Sequence, residues 1–119
     1  MLPETDDNIF RTIPDKTTFT FHEATTAPSE GEEFLVSHFR DITVKISGSS
    51  TTRELKFFAI DENGEKTELV GTNKTDFQLG TGTLNTNENW DFEIAGLFKF
   101  MVEVISVNGD VTVKGIAVS

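Results

Sequence analysis

Hydrophobic and polar residues alternate along the C-terminal part of the chain, which is the pattern that half-buried β-strands produce. Apolar side chains stand at every second position from residue 90 to 94 and from residue 98 to 104, and charged residues fill most of the places between them. Two strands are therefore predicted here, and we expect the rest of the chain to pack around them. The side chains expected to be nearly fully buried are Trp90, Phe92, Phe100 and Val102.

The dipeptide Asn108-Gly109 predicts a tight turn between the second of these strands and a third one at residues 111–118. Asn and Gly both tolerate positive φ, as the two central residues of a type I′ hairpin turn require. A two-residue hairpin at this point places Val104 opposite Val113 on the next strand. A slip of one residue would move every side chain to the other face, so the register is predicted as well.

An internal repeat is visible when residues 33–47 are aligned with residues 91–105. Each copy predicts a short strand, a tight connection that carries a bulky residue, and a longer alternating strand. The bulky residue is Phe39 in the first copy and Leu97 in the second. A repeated pair of strands suits a two-sheet sandwich in which both copies contribute equivalent strands.

The remaining segments complete the predicted layout. Residues 1–16 hold two prolines and four acids without any periodicity, which predicts an extended N-terminal arm, and residues 17–119 form the sandwich domain. Within that domain we expect a first strand at 17–21, a loop at 24–33 and a strand at 54–60. An Asn63-Gly64 hairpin returns this strand through residues 66–70. Residues 71–89, rich in Gly, Thr and Asn, are predicted to be a long functional loop.

The fold class predicted by these elements is all-β, as an antiparallel, jelly-roll-like sandwich of two sheets. The strand at 54–60 is unusual because it is apolar on both faces. Its second apolar set consists of Phe58 and Ile60, joined by Leu69 from the returning strand. Such a face lies at the centre of a sheet, or is covered by the arm or by another subunit.

Charge and composition exclude several classes of function. The net charge is −10, and the clustered Lys and Arg that phosphate binding needs are missing, so we expect no nucleic-acid partner. The absence of cysteine excludes disulfides, zinc–thiolate sites and a cysteine nucleophile. No apolar run approaches the length of a membrane span, and no membrane partner is expected. Eleven Phe against one Trp and no Tyr favours core filling over a sugar-binding platform.

Candidate chemistry is sparse. His22 and His38 are isolated from any Ser or Cys nucleophile pattern, and we expect them to face solvent or to lie in loops. Residues 61–65 resemble the start of a calcium loop, but Thr72 stands where a bidentate Glu should close it, and a hairpin turn explains them as well. Residues 73–75 match a glycosylation sequon, which matters only in a secreted chain. We predict no catalytic residue, metal or cofactor.

From residue 42 onward the order of features resembles a small β-sandwich module that recurs in virion and tail proteins of tailed bacteriophages. The residues that carry the resemblance are ITVKISG at 42–48, Phe57 with Asp61 and Gly64, WDFEIAGL at 90–97 and VTVKG at 111–115. Lys66 and Thr67 stand where a second tryptophan is usual in the family. The resemblance implies a non-enzymatic virion component whose fold is similar in outline to carbohydrate-binding modules.

The expected function is therefore structural: a phage virion or tail-associated component, assembled in the host cytoplasm, that acts through contacts with its own copies or with other virion proteins. Self-association is predicted to use Ile9, Phe10 and Ile13 of the arm together with Phe58, Ile60 and Leu69. The alternative is a carbohydrate-binding module for a host cell-wall glycan. Its ligand loop would consist of Asn73, Asp76, Phe77, Asn85 and Asn87.

Overall fold

The chain folds into two antiparallel β-sheets packed face to face, and this confirms the predicted all-β sandwich. The computed structural model describes residues 16–74, 77–80, 82–83 and 88–119, so the predicted arm lies outside the described residues except for Lys16. The strands are β1 (Lys16–Thr25), β2 (Phe34–Leu35), β3 (Asp41–Ser47), β4 (Arg53–Ile60), β5 (Lys66–Glu68), β6 (Gly71–Asn73), β7 (Gln78–Gly80), β8 (Gly82–Thr83), β9 (Glu88–Glu93), β10 (Lys99–Val107) and β11 (Val111–Val118). None of the described residues belongs to a helix that is long and apolar enough to cross a membrane.

Six strands form the first sheet in the order β1-β11-β3-β9-β6-β7, and the second sheet has the order β2-β10-β4-β5, with β8 also paired to β4. The alternating apolar residues of both sheets meet in one core. The four side chains predicted to be buried are at most 3% exposed, which confirms that prediction. The largest aromatic members of the core are Phe21, Phe57, Trp90, Phe92 and Phe100.

The internal repeat is present in the structure, and its two copies pair crosswise. The short strand of the first copy, β2, pairs with the long strand of the second, β10, while β9 of the second copy pairs with β3 of the first. The two connections are alike, since the Phe39 N–H donates to the Val36 carbonyl at 2.9 Å and the Leu97 N–H to the Ile94 carbonyl at 3.0 Å. Phe39 and Leu97 both pack against the core. The repeat therefore links the two sheets at the end of the sandwich that contains Phe39 and Leu97.

The turn at Asn108-Gly109 does not close a hairpin, and the register predicted from it is wrong. Strand β10 pairs with β4 and β2 in the second sheet, whereas β11 pairs with β1 and β3 in the first. The turn crosses between the sheets because Asn108 bonds to another inter-sheet connection. Its Oδ1 accepts from the backbone N–H groups of Thr51 at 3.1 Å and Thr52 at 2.8 Å. Alternation identified the buried face of both strands correctly, but it does not specify the neighbouring strand.

The second predicted hairpin is confirmed. Strands β4 and β5 pair antiparallel, and Ile60 stands opposite Lys66. The turn is closed by the Asp61 N–H, which donates to the Glu65 carbonyl at 3.0 Å. The Asp61 Oδ1 atom accepts from the backbone N–H of Asn63 at 2.8 Å and of Glu65 at 2.9 Å. The carboxylate of Asp61 therefore serves the turn.

The three apolar residues predicted to form a second face on this hairpin do not share one environment. Ile60 is buried, Leu69 packs against the core, and Phe58 is half-buried beneath the Lys66 ammonium, which lies 4.8 Å from the centre of its ring. The described chain thus leaves no broad apolar face there that needs a cover. Whether these residues take part in self-association stays a prediction, and Ile9, Phe10 and Ile13 lie outside the described residues.

Candidate functional site

The segment predicted as one long loop, residues 71–89, holds a short hairpin at the edge of the first sheet. Strands β6 and β7 pair with each other, and β6 also pairs with β9. Gly71 permits this placement, because a Cβ there would lie 2.3 Å from the ring of the buried Phe92. The prediction of one long loop is therefore partly wrong, because short strands occupy much of this segment.

The hairpin and the residue before it expose three large apolar side chains. Phe77 is 76% exposed, Leu79 73% and Val70 60%, the highest exposures among the large hydrophobic residues that the structure describes. Phe77 also has a positive φ of 60°, an uncommon backbone conformation for a residue with a bulky side chain. A bulky apolar residue held there, next to an edge strand, makes this surface the candidate site. We call Val70, Phe77 and Leu79 the edge patch.

A buried polar cluster fixes the hairpin to the core. Glu88 is 4% exposed, and its Oε2 accepts from the Asn73 Nδ2 at 2.8 Å while its Oε1 accepts from the Trp90 Nε1 at 3.0 Å. The Asn73 carbonyl accepts from the Phe77 N–H at 2.6 Å. Buried polar groups that satisfy one another in this way hold a defined geometry. The edge patch is therefore attached to a rigid support.

Arg53 brings a positive charge to the same end of the core. Its side chain is buried, its Nη1 donates to the Ser50 Oγ at 3.2 Å, and its Nε and Nη2 atoms have no hydrogen-bond partner among the described residues. Burial lowers the pKa of Arg53, and the charge of Glu88 opposes that shift. Each charge thus offsets part of the cost of burying the other.

His22 is buried, so the prediction that it faces solvent is wrong. Register shifts in β1 on both sides of His22 turn the ring toward the other sheet, where its Nε2 lies 2.6 Å from the Val102 carbonyl. Its Nδ1 lies 3.2 Å from the Oγ1 of Thr25 on its own strand. Strict alternation would have placed this residue outside, because Phe21 beside it already faces the core. Burial lowers the pKa of His22, while the bond to Val102 and the charge of Glu32 act against it. His38 is exposed as predicted.

A half-open cleft of about 340 Å³ lies at the opposite end of the sandwich, next to the Asn63-Gly64 hairpin. Its walls include the apolar side chains of Ile60, Leu69 and Leu97, with Asp61 and Glu62 at the same site. One oxygen of Asp61 is already used by the turn. Ligand sites in proteins add a few convergent polar groups to an apolar wall, and this cleft supplies few of them.

Of the five residues predicted as a ligand loop, the structure describes Asn73 and Phe77. Phe77 is exposed, but Asn73 is 6% exposed and bonded to Glu88, so its amide does not face a ligand or a glycosylating enzyme. Asp76, Asn85 and Asn87 lie outside the described residues. Within the described ranges, no group of three or more His, Cys, Asp or Glu side chains could hold a metal ion.

Sequence reasoning missed Arg53 and Glu88, although a signal for both was present. Arg53 precedes Leu55 and Phe57 at every-second-residue spacing, and Glu88 precedes Trp90 and Phe92 in the same way. Both charged residues therefore extend the apolar period of a core strand by one step. A charged residue at such a position is predicted to point inward and to need a partner.

Comparison with known proteins shows relatives of phage origin. The chain is 75% identical over 118 residues to the SPbeta prophage-derived uncharacterized protein YomS of Bacillus subtilis (strain 168), covering 99% of this chain and 100% of that protein. It is 33% identical over 102 residues to the phage-like element PBSX protein XepA of the same strain, covering 85% of this chain and 37% of that protein. The chain thus spans only about a third of the length of this longer relative.

The same relatives are similar in structure. A crystal structure of the SPBc2 prophage-derived protein YomS matches with a TM-score of 0.89 and 80% identity, over 91% of this chain and 96% of that one. A crystal structure of the PBSX exported protein XepA matches with a TM-score of 0.86 and 32% identity, over 89% of this chain and 38% of that one. A small β-sandwich related to phage proteins, as the sequence resemblance implied, is confirmed, while its likeness to carbohydrate-binding modules stays a prediction. The family model described as XepA matches residues 15–117, and the chain therefore belongs to the XepA family.

Proposed function

We propose that the chain is a non-enzymatic component of a phage particle or its tail and acts through contacts with other proteins. The observation that carries this proposal is the edge patch, in which three exposed apolar side chains sit on a hairpin anchored by the buried Glu88 cluster. Exposed apolar residues on a rigid support suit a protein interface, because little conformational freedom is lost on binding. The prophage origin of a relative that covers the whole chain supports a role in the particle.

The edge strand adds a second means of contact. Strand β7 is the last of the described strands in the order of its sheet, and an edge strand is a place where an added strand can pair. The longer relative XepA, of which this chain spans about a third, is consistent with a module used within a larger phage-like protein. We propose that assembly takes place in the host cytoplasm and that the mature location is the virion.

Binding of a host cell-wall glycan is the second candidate, and the exposed ring of Phe77 favours it. A sugar platform pairs an exposed aromatic face with polar groups that bond the hydroxyls. Here the nearby amide of Asn73 is buried and bonded to Glu88, which favours the protein-contact proposal.

The test is particle association in a Bacillus lysogen that produces a tagged form of the chain. After prophage induction, density-gradient fractions are probed for the tag, and we expect the chain to sediment with the particles. Replacing Phe77 and Leu79 together by Ser should remove it from those fractions. The matched control is Leu35→Ser, which replaces a 49% exposed residue on β2 of the other sheet and should leave the association unchanged.

The same material is incubated with purified cell walls to test the alternative. A chain absent from the particle fractions that binds walls through Phe77 would replace the leading proposal with the glycan one. A chain that does neither would contradict both.

A further inference from the structure

The cleft beside the Asn63-Gly64 hairpin suits apolar side chains. Ile60, Leu69 and Leu97 belong to its walls, and they come from both sides of the β4–β5 turn and from the connection between β9 and β10. Its volume of about 340 Å³ lies at the small end of ligand pockets, which range from about 300 to 1,000 Å³. A cleft of this size holds a few side chains of an unfolded segment and is too small for the face of a folded partner.

The rim of the cleft carries negative charge. Asp61 and Glu62 are both exposed there, and among the described residues neither takes part in an ion pair with N···O within 4.0 Å. Lys66, on the strand that follows the turn, is already matched with Glu103 at 3.2 Å and with Glu30 at 3.7 Å. An occupant that places a positive charge beside apolar side chains would therefore complement the cleft.

One segment of the N-terminal arm has this composition. Residues 8–14 read NIFRTIP, in which Ile9 and Phe10 come directly before Arg11. The four acids of the arm lie on either side of this segment, at positions 4, 6, 7 and 15. The arm is acidic as a whole, yet its apolar residues are accompanied by a positive charge alone.

The described chain begins at the end of the sandwich that holds the cleft. Lys16 stands opposite Val118, Val118 opposite Asp41, and Asp41 opposite Glu93, in one row across the first sheet. The connection that carries Leu97 follows Glu93 directly. The row covers three strand spacings, or about 14 Å, and the second sheet lies about 10 Å from the first. The straight distance from the start of β1 to the cleft is therefore roughly 18 Å.

This distance decides which residues of the arm can enter. An extended chain spans at most about 3.3–3.6 Å per residue. Phe10 precedes Lys16 by six residues and reaches about 20 Å, whereas Ile13 precedes it by three and reaches only about 10 Å. Ile9 and Phe10 can therefore enter the cleft, the long side chain of Arg11 can reach its rim, and Ile13 cannot reach it.

We propose that the arm docks on its own chain, with Ile9 and Phe10 seated in the cleft and Arg11 bonded to the rim carboxylates. The apolar walls remove two large apolar side chains from water, and charge-assisted hydrogen bonds from the guanidinium fix the position of the segment. A tether of this length keeps the arm at a local concentration in the millimolar range, which favours its own cleft over that of another copy in dilute solution.

The docked arm would lie at the end of the sandwich opposite the Glu88 cluster that supports the edge patch, and would leave that patch accessible. The inference goes beyond the proposed function and rests on none of it.

The test is disulfide formation between introduced cysteines, which the absence of native cysteine makes unambiguous. The cleft pair is Asn8→Cys with Thr67→Cys, because Asn8 adjoins the docked residues and Thr67 is an exposed residue of the cleft. The control pair is Asn8→Cys with Glu93→Cys, because Glu93 is exposed at a similar distance from the start of β1 but lies outside the cleft. Under mild oxidation at low micromolar protein, we expect the cleft pair to close about tenfold faster or more, in a product of monomer mass.

Further changes in the cleft-pair protein link this rate to the proposed contacts. Phe10→Ser should lower the rate to that of the control pair, whereas the matched change Ile13→Ser should leave it unchanged. Arg11→Glu or Glu62→Lys alone should slow the reaction several-fold. The two together should restore it, because the charges are exchanged across the same contact.

Equal rates for the cleft and control pairs would overturn the proposal, and so would exchanged charges that fail to restore the rate. A fast product of twice the monomer mass would overturn it as well, because the arm would then occupy the cleft of another copy. Particle association is tested with Phe77 and Leu79 on the hairpin of the edge patch, so the two proposals fail separately.

Discussion

Truncation of Phe100 to Ala tests the packing of the sandwich. Phe100 is fully buried at the centre of the core, and its ring makes edge contacts with Phe21 at 5.5 Å and with Phe92 at 5.1 Å between ring centres. Deleting a buried aromatic side chain costs about 3–5 kcal/mol, since the surroundings collapse only partly into the space. The two ring contacts, each worth about 0.5–1.5 kcal/mol, place the expected loss in the upper part of that range.

The assay is urea denaturation followed by the fluorescence of Trp90, which contacts the same aromatic cluster. The control is Phe58→Ala, which removes the same group from the half-buried outer face of β4, where its ring lies beneath Lys66. We expect the control to cost about 1 kcal/mol, because little apolar surface and one exposed cation–π contact are lost. A loss below about 1 kcal/mol for Phe100→Ala, or a larger loss for the control, would show that the assigned faces are reversed.

Three further outcomes are expected. Replacing His22 by Gln should flatten the pH dependence of stability below about pH 6.5. Because the pKa of His22 is lowered in the folded state, the unfolded chain binds the proton first, and the original chain loses stability as the pH falls through that window. Denaturation at pH 7.5 and 5.5 measures the free energy of unfolding, and an equal loss between these two pH values in both proteins would contradict the assignment. Replacing Gly71 by Ala should cost about 1–3 kcal/mol, because the new methyl group meets the Phe92 ring; thermal unfolding with no shift would show that β6 can move away. Removing residues 1–16 tests the arm, and light scattering should show weaker self-association if Ile9, Phe10 and Ile13 contribute to it, whereas an unchanged mass would assign the contact to the folded domain.

Alternation along the chain was sufficient to find the sandwich and its core. Each strand with apolar residues at every second position buries that side, and the internal repeat correctly identified two equivalent pairs of strands. The strands that neighbour β10 and β11 in the two sheets could not be predicted in this way. An inter-sheet connection and a hairpin impose the same alternation on their flanking strands, and the bonds from Asn108 to Thr51 and Thr52 that decide between them join residues far apart in sequence.

The candidate site residues were difficult to predict for the same reason, because their positions depend on contacts between residues far apart in the sequence. His22 is turned inward by irregularities of β1 whose cause is a distant contact, the Val102 carbonyl of the other sheet. The ligand loop was predicted from composition alone, and composition does not distinguish an amide that faces solvent from Asn73, which is needed by a buried carboxylate. Phe77 was the exception, because an aromatic residue in a polar segment has no local apolar partners and is either exposed or bound elsewhere.

The two faces of β3 carry separate information, and this explains why a fold can be inferred from this sequence more readily than a function. Its inner residues, Ile42, Val44 and Ile46, are fixed by volume and by exclusion of water, which are general requirements that any reader of the sequence can apply. Its outer residues follow no such rule: Thr43 bonds to Asp91, but Asp41 and Lys45 stand opposite like charges, where opposite charges would be more stable. Replacing Lys114 by Glu should therefore raise the free energy of unfolding, because a repulsion opposite Lys45 is replaced by an attraction.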